Sequence, residues 1–110
     1  MEGEPAATLL RLPDVKLRAV YLLRDGLRIE LLHYARPGHR GDAAPRPMNQ
    51  LGLTHLSLRV ADLDAAQRDL ASHGARVLAD TRIDNERLRA RAIFVCDPDG
   101  TLIELVEAKR

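Results

Sequence analysis

The chain has 110 residues, enough for one compact domain with a modest core. Its 17 Lys and Arg residues nearly balance 16 Asp and Glu, a net charge of +1, which excludes the basic footprint of a nucleic-acid binder and the polybasic face of an anionic-lipid binder. Hydrophobic residues make up 45% and aromatics 3%, so the core is aliphatic, and no apolar run approaches the roughly 20 residues that a bilayer span needs. The first ten residues, MEGEPAATLL, are acidic and lack the basic start of a secretion signal. A single cysteine, Cys96, excludes an internal disulfide framework and fits a reducing compartment, so the expected location is the cytoplasm.

Taken in chain order, residues 1–11 carry no clear periodicity and are expected to be disordered. Residues 17–23 and 27–34 are β-compatible, and Asp25-Gly26 between them suits the positive φ angles of a tight hairpin turn. Residues 35–50 are rich in Pro, Gly, Arg and Ala, which predicts a linker or mobile loop. A strand is predicted at 54–60. Asp62 is placed to cap a helix over 63–72, with Leu63, Ala66 and Leu70 on one face, and Gly74 supplies its left-handed stop. A short strand at 75–78 and a polar loop at 80–86 follow. Strands at 89–96 and 101–106 then form a second hairpin around Asp97-Pro98-Asp99-Gly100, where Pro presets the turn and Gly supplies its exit.

Strand residues alternate between two faces. At 54–60, Leu56, Leu58 and Val60 oppose His55, Ser57 and Arg59. At 101–106, Ile103 and Leu105 oppose Glu104. At 27–32, Ile29 and Leu31, which can face a core, oppose Arg28, Glu30 and Leu32. A carboxylate on a strand flanked by aliphatics must be solvated, paired or metal-bound. Two carboxylates and an imidazole suit a divalent ion such as Ni, Co, Zn, Mn or Fe. His33, His39 and His73 read as surface residues, Cys96 as a buried strand residue, and Asp97 and Asp99 as turn residues without the spaced acids of a calcium loop.

The order β-β, linker, β-α-β-β-β, with His55 early in THLSLRV and Glu104 in DPDGTLIEL, resembles the vicinal oxygen chelate superfamily of glyoxalase I, bleomycin-resistance proteins, epimerases and extradiol dioxygenases. The segment LRIELL at 27–32 parallels TLIELV at 101–106, each following a turn that ends in Gly. The resemblance implies an α+β fold with a curved mixed sheet: a complete βαβββ unit at 51–110 and a partial unit at 12–34, joined by 35–50. Two-unit members open with a further strand and helix, for which the residues before Leu12 are too few. The expectation is therefore a truncated member or a sheet completed by a partner chain, hence a homodimer.

The resemblance also implies a site: one divalent ion held by Glu30, His55 and Glu104, with Glu104 and Glu30 as catalytic carboxylates. Arg28, Ser57 and Arg59 are candidates for holding substrate. The implied activity is that of a glyoxalase I-like lyase or isomerase, in which the metal stabilises the enediolate of a small oxygenated substrate. The alternatives are a non-catalytic small-molecule-binding protein like the bleomycin-resistance proteins, or an epimerase or dioxygenase of the same superfamily. No nucleic-acid or membrane partner is expected.

Overall fold

The structure, a computed structural model, describes residues 1–108; the last two residues of the expected second unit lie outside the described residues. The chain forms two compact units, Met1–Gly41 and Asp42–Arg110.

The first unit begins with a helix where disorder was expected. Helix α1 spans Glu4–Leu10, with proline and an acid in its first turn and Arg11 closing it in the left-handed region. Seven residues are too few to hold a helix alone. Tertiary contacts supply the rest. Ala6 is buried beside Val15 and Leu17, with Leu10, Ala19 and Tyr34 packed around them. The Met1 ammonium donates to the Leu17 carbonyl at 2.7 Å, and the Leu17 N–H donates to the Met1 carbonyl at 2.8 Å.

Strands β1 (Lys16–Arg24) and β2 (Leu27–Arg36) form an antiparallel hairpin in which Arg24 faces Leu27. The connecting Asp25 and Gly26 have φ of 49° and 78°, the two positive angles that a type I′ turn demands. The register places Leu17, Ala19, Tyr21 and Leu23 on one face with Tyr34, Leu32, Glu30 and Arg28 opposite them. The small core around α1 therefore covers one end of the face that carries Glu30. Ile29, half-buried, and Leu31 lie on the face opposite that core. On their side Val20, Leu22 and Leu31 remain 40%, 48% and 51% exposed. Alternation separated the two faces but carried no sign of which one the N-terminal helix would cover.

The second unit is a βαβββ module. Strand β3 (His55–Arg59) leads into helix α2 (Leu63–Ser72), then β4 (Arg76–Asn85), β5 (Ala90–Cys96) and β6 (Leu102–Ala108). The sheet order is β3-β6-β5-β4, with β3 parallel to β6 and the other pairs antiparallel. A parallel pair needs a crossover, and α2 with β4 and β5 provides it. The Asp62 carboxylate accepts the Ala65 N–H at 3.0 Å as the helix cap. Gly74, at φ 82°, ends the helix.

Leu63, Ala66 and Leu70 of α2 pack on Leu58, Val77, Ile93, Val95, Ile103 and Leu105 of the sheet. Leu63 and Ile93 are fully enclosed, and each such burial contributes about 1.5–3 kcal/mol.

Strand β4 is longer than predicted. Residues 80–86, expected as a loop, largely continue the strand through an irregularity between Leu78 and Ile83. There the Thr81 hydroxyl accepts the Phe94 N–H at 2.9 Å and donates to the Leu78 carbonyl at 2.6 Å, so a side chain replaces the missing ladder bonds.

Candidate functional site

The side of the second sheet facing away from α2 carries the chemistry. On β6, Ile103 and Leu105 enter the core under α2, so Glu104 points to the opposite side. Leu58 on β3 and Val60 just after it pack towards α2, which turns His55, Ser57 and Arg59 to the side of Glu104. The parallel register sets Ser57 beside Glu104 and His55 beside Leu102. Ser57 Oγ donates to Glu104 Oε1 at 2.7 Å. His55 sits two positions before Ser57 on the same face. Its ring stands edge-on to Phe94 with centroids 5.3 Å apart, and its Nδ1 shares a hydrogen bond with Thr54 Oγ1 at 2.9 Å. Arg59 is exposed on the same face, paired with Val106 in the register.

Beside Glu104 lies an open groove of about 410 Å³. Leu78, Ala92, Phe94 and Leu102 line its sheet side, Pro45 and Met48 contribute from the preceding loop, and Glu104 is the one ionisable group among its described lining residues. An apolar groove with a single convergent acid is the ordinary makeup of a small-molecule site.

Glu30 lies in the first unit, exposed on β2 across from Tyr21. Arg28, on the same face, holds its guanidinium 4.9 Å from the centre of the Tyr21 ring. Within the second unit His55, Ser57 and Glu104 stand together. Among the described residues no group of three His, Cys, Asp or Glu side chains is gathered to hold a metal ion. Cys96 is buried, and His73 is exposed at the end of α2 with its Nδ1 2.7 Å from the Asp69 carbonyl oxygen.

On the α2 side a charged network ties the helix start to the sheet. Asp64 pairs with Arg82 at 2.8 Å and with Arg91 at 3.1 Å, and Arg91 reaches Glu107 at 2.6 Å. Glu107 Oε2 also accepts the first helical N–H, that of Leu63, at 2.7 Å. Hydrogen bonds from Arg82 and then Arg91 hold the Asp64 carboxyl below its usual range. Glu107 first and Asp64 second raise Arg91 further above its already high range.

The strand order and the acid-bearing open face define a βαβββ module. The chain belongs to the Glyoxalase/Bleomycin resistance protein/Dioxygenase superfamily, whose sequence model matches residues 7–105. Among solved structures it is similar to a glyoxalase family protein from Bacillus cereus, at 26% identity and a TM-score of 0.82, covering 97% of this chain and 72% of that one. It also shares its fold with a genomically encoded fosfomycin resistance protein from Listeria monocytogenes, at 15% identity and a TM-score of 0.57, covering 99% of this chain and 87% of that one. No curated protein matches the sequence. Among the described residues no helix is long and apolar enough to cross a membrane.

Proposed function

We propose that the chain is a glyoxalase I-like, divalent-metal-dependent lyase or isomerase acting on a small oxygenated molecule. One observation carries this reading: His55, Ser57 and Glu104 share one face of the β3–β6 pair, beside an apolar groove whose one ionisable group, among the described residues, is Glu104. An imidazole and a carboxylate on adjacent strands fit the nitrogen and oxygen donors that Ni, Co, Zn, Mn and Fe accept. On this reading His55 and Glu104 hold the ion together with Glu30. Bound there, the ion supplies Lewis-acid stabilisation of negative charge developing on a substrate oxygen.

The remaining work falls to the chain itself. Glu104 carries a substrate proton away from carbon and returns it. Ser57 orients the carboxylate by donating to Oε1, which leaves the other oxygen for the substrate or the ion. The groove takes the apolar part of the substrate and excludes water from one side. Arg28 and Arg59 are the candidate partners for anionic substrate groups. On the same reading residues 12–34 form part of a first unit, 35–50 join it to the complete unit at 51–110, and a second copy covers the exposed Val20, Leu22 and Leu31 face in a homodimer.

A second reading, small-molecule binding without catalysis, draws on the absence among the described residues of a gathered three-ligand group. Metal analysis of the purified chain separates the two. The lyase reading expects close to one divalent ion per site, lost in His55→Ala, together with exchange of a substrate α-proton with solvent deuterium. A metal-free protein that binds small molecules without that exchange would establish the second reading instead.

A further inference from the structure

The loop between the two units lacks regular structure, yet its second half is fastened at four places. The Ala44 N–H donates to the Asp42 side chain at 3.1 Å. The Gln50 N–H donates to the Pro47 carbonyl at 3.1 Å. Arg46 spreads its guanidinium over two backbone carbonyls, Nη1 to Leu53 and Nη2 to Leu51, both at 2.7 Å. Gly100 fits beneath the Ala43 carbonyl, where any Cβ would overlap that oxygen. Gly52 belongs to the same device: at φ 101° it is in the region glycine favours, and a Cβ there would stand 3.2 Å from Arg46 Nη2.

A guanidinium is suited to this fastening because its planar fork reaches two acceptors at once, which an ammonium cannot do in a fixed geometry. Leu51 and Leu53, on the far limb, are 93% and 91% exposed, so apolar burial does not hold that limb in place. The near limb is different. Pro45 and Met48 line the groove that contains Glu104, opposite Leu78, Phe94 and Leu102. The strap thus supplies one wall of the groove and the sheet supplies the other.

We propose that residues 42–53 form a specificity strap: Met48 sets the length of the groove beside Glu104, and Arg46 positions it. The ligand class this selects is a molecule with an uncharged aliphatic or aromatic body, which lies between Met48 and Phe94, and an oxygen-bearing end directed at Glu104. The inference deepens the proposed function by naming the ligand's body, and it rests on that reading for the oxygen-bearing end alone. Methionine suits such a wall because its unbranched thioether adapts to varied apolar shapes.

The test uses the full chain and a neutral hydrophobic fluorophore, N-phenyl-1-naphthylamine, titrated by fluorescence. Met48→Trp fills the groove and is expected to weaken binding at least tenfold. Arg46→Ala is expected to weaken it about fivefold with the thermal midpoint unchanged, and Arg46→Lys to restore little. Leu51→Ala on the exposed limb and Leu31→Ser in the first unit are expected to leave affinity within twofold of wild type. Exchange of a substrate α-proton with solvent deuterium is measured separately on the wild type, so failure of the lyase reading is seen apart from failure of the strap. The strap is overturned if Met48→Trp and Arg46→Ala both bind the probe as wild type does, or if Leu31→Ser abolishes binding.

Discussion

Ser57 and Glu104 lie 47 residues apart in sequence and are joined by a 2.7 Å hydrogen bond across the parallel β3–β6 pair. The bond fixes which carboxylate oxygen is committed and which is left over. Under the lyase reading, Glu104→Gln should lower kcat by about 10²–10⁴-fold, the usual range for lost acid–base help. Ser57→Ala keeps the carboxylate but frees its orientation, and a loss of up to about tenfold is expected for this exposed pair. The two variants are compared by steady-state kinetics. A Ser57→Ala loss as deep as that of Glu104→Gln would mean that the serine is itself chemical.

The ion pairs around Asp64 set a pH dependence. Its carboxyl is held below the ordinary value of 3.8, chiefly by Arg82 and then Arg91. A group whose folded pKa is depressed contributes stability above its unfolded value and loses it as pH falls through the folded one. Wild type should therefore exceed Asp64→Asn in stability from neutral pH down to about pH 4, and the difference should shrink below that point. Urea unfolding at a series of pH values reads the effect. Raised salt should narrow the difference as well, because the pairs are partly exposed.

Gly100→Ala tests the strap from the sheet side. The residue sits at φ 81°, and a Cβ there would overlap the Ala43 carbonyl oxygen. A loss of at least about 1 kcal/mol is expected from the backbone conformation alone. Thermal or denaturant unfolding measures it. Gly26→Ala, with a similar φ of 78° but open space around its Cβ, should cost less.

Leu63→Ala empties a site with no exposure at the junction of α2 and the sheet. Deleting such a side chain typically costs about 2–5 kcal/mol. Ile93→Val, which removes one methylene from the same cluster, should cost about 0.5–1.5 kcal/mol. Denaturant midpoints for the pair check that the core lies where α2 meets β5.

Much of the second unit was legible because its signals are local. Asp62, the Leu63–Ala66–Leu70 stripe and Gly74 delimit α2 without reference to anything distant. Alternation likewise turned His55, Ser57 and Glu104 away from Leu58 and Leu105. The contact between Ser57 and Glu104 was not legible, because it depends on the register of two strands that meet only in the folded sheet. Helix α1 was missed because seven residues stand or fall by tertiary burial. The continuation of β4 was missed because its polar residues include Thr81, whose hydroxyl takes over a backbone role. The strap has no period at all; its order comes from scattered contacts, chief among them one arginine on two backbone carbonyls.

The position of β6 bears on how the chain is made. It follows β3, β4 and β5 in sequence, yet it lies between β3 and β5 in the sheet. Until it leaves the ribosome, β3 has no hydrogen-bonded neighbour in the second unit, and α2 lacks Ile103, Leu105 and the Glu107 carboxylate that meets its first N–H. A nascent chain arrested before Leu102 should thus expose β3 and the apolar stripe of α2 to protease and to chaperone. Emergence of residues 102–108 should close both in a single step, so the second unit cannot complete its fold before β6 is available.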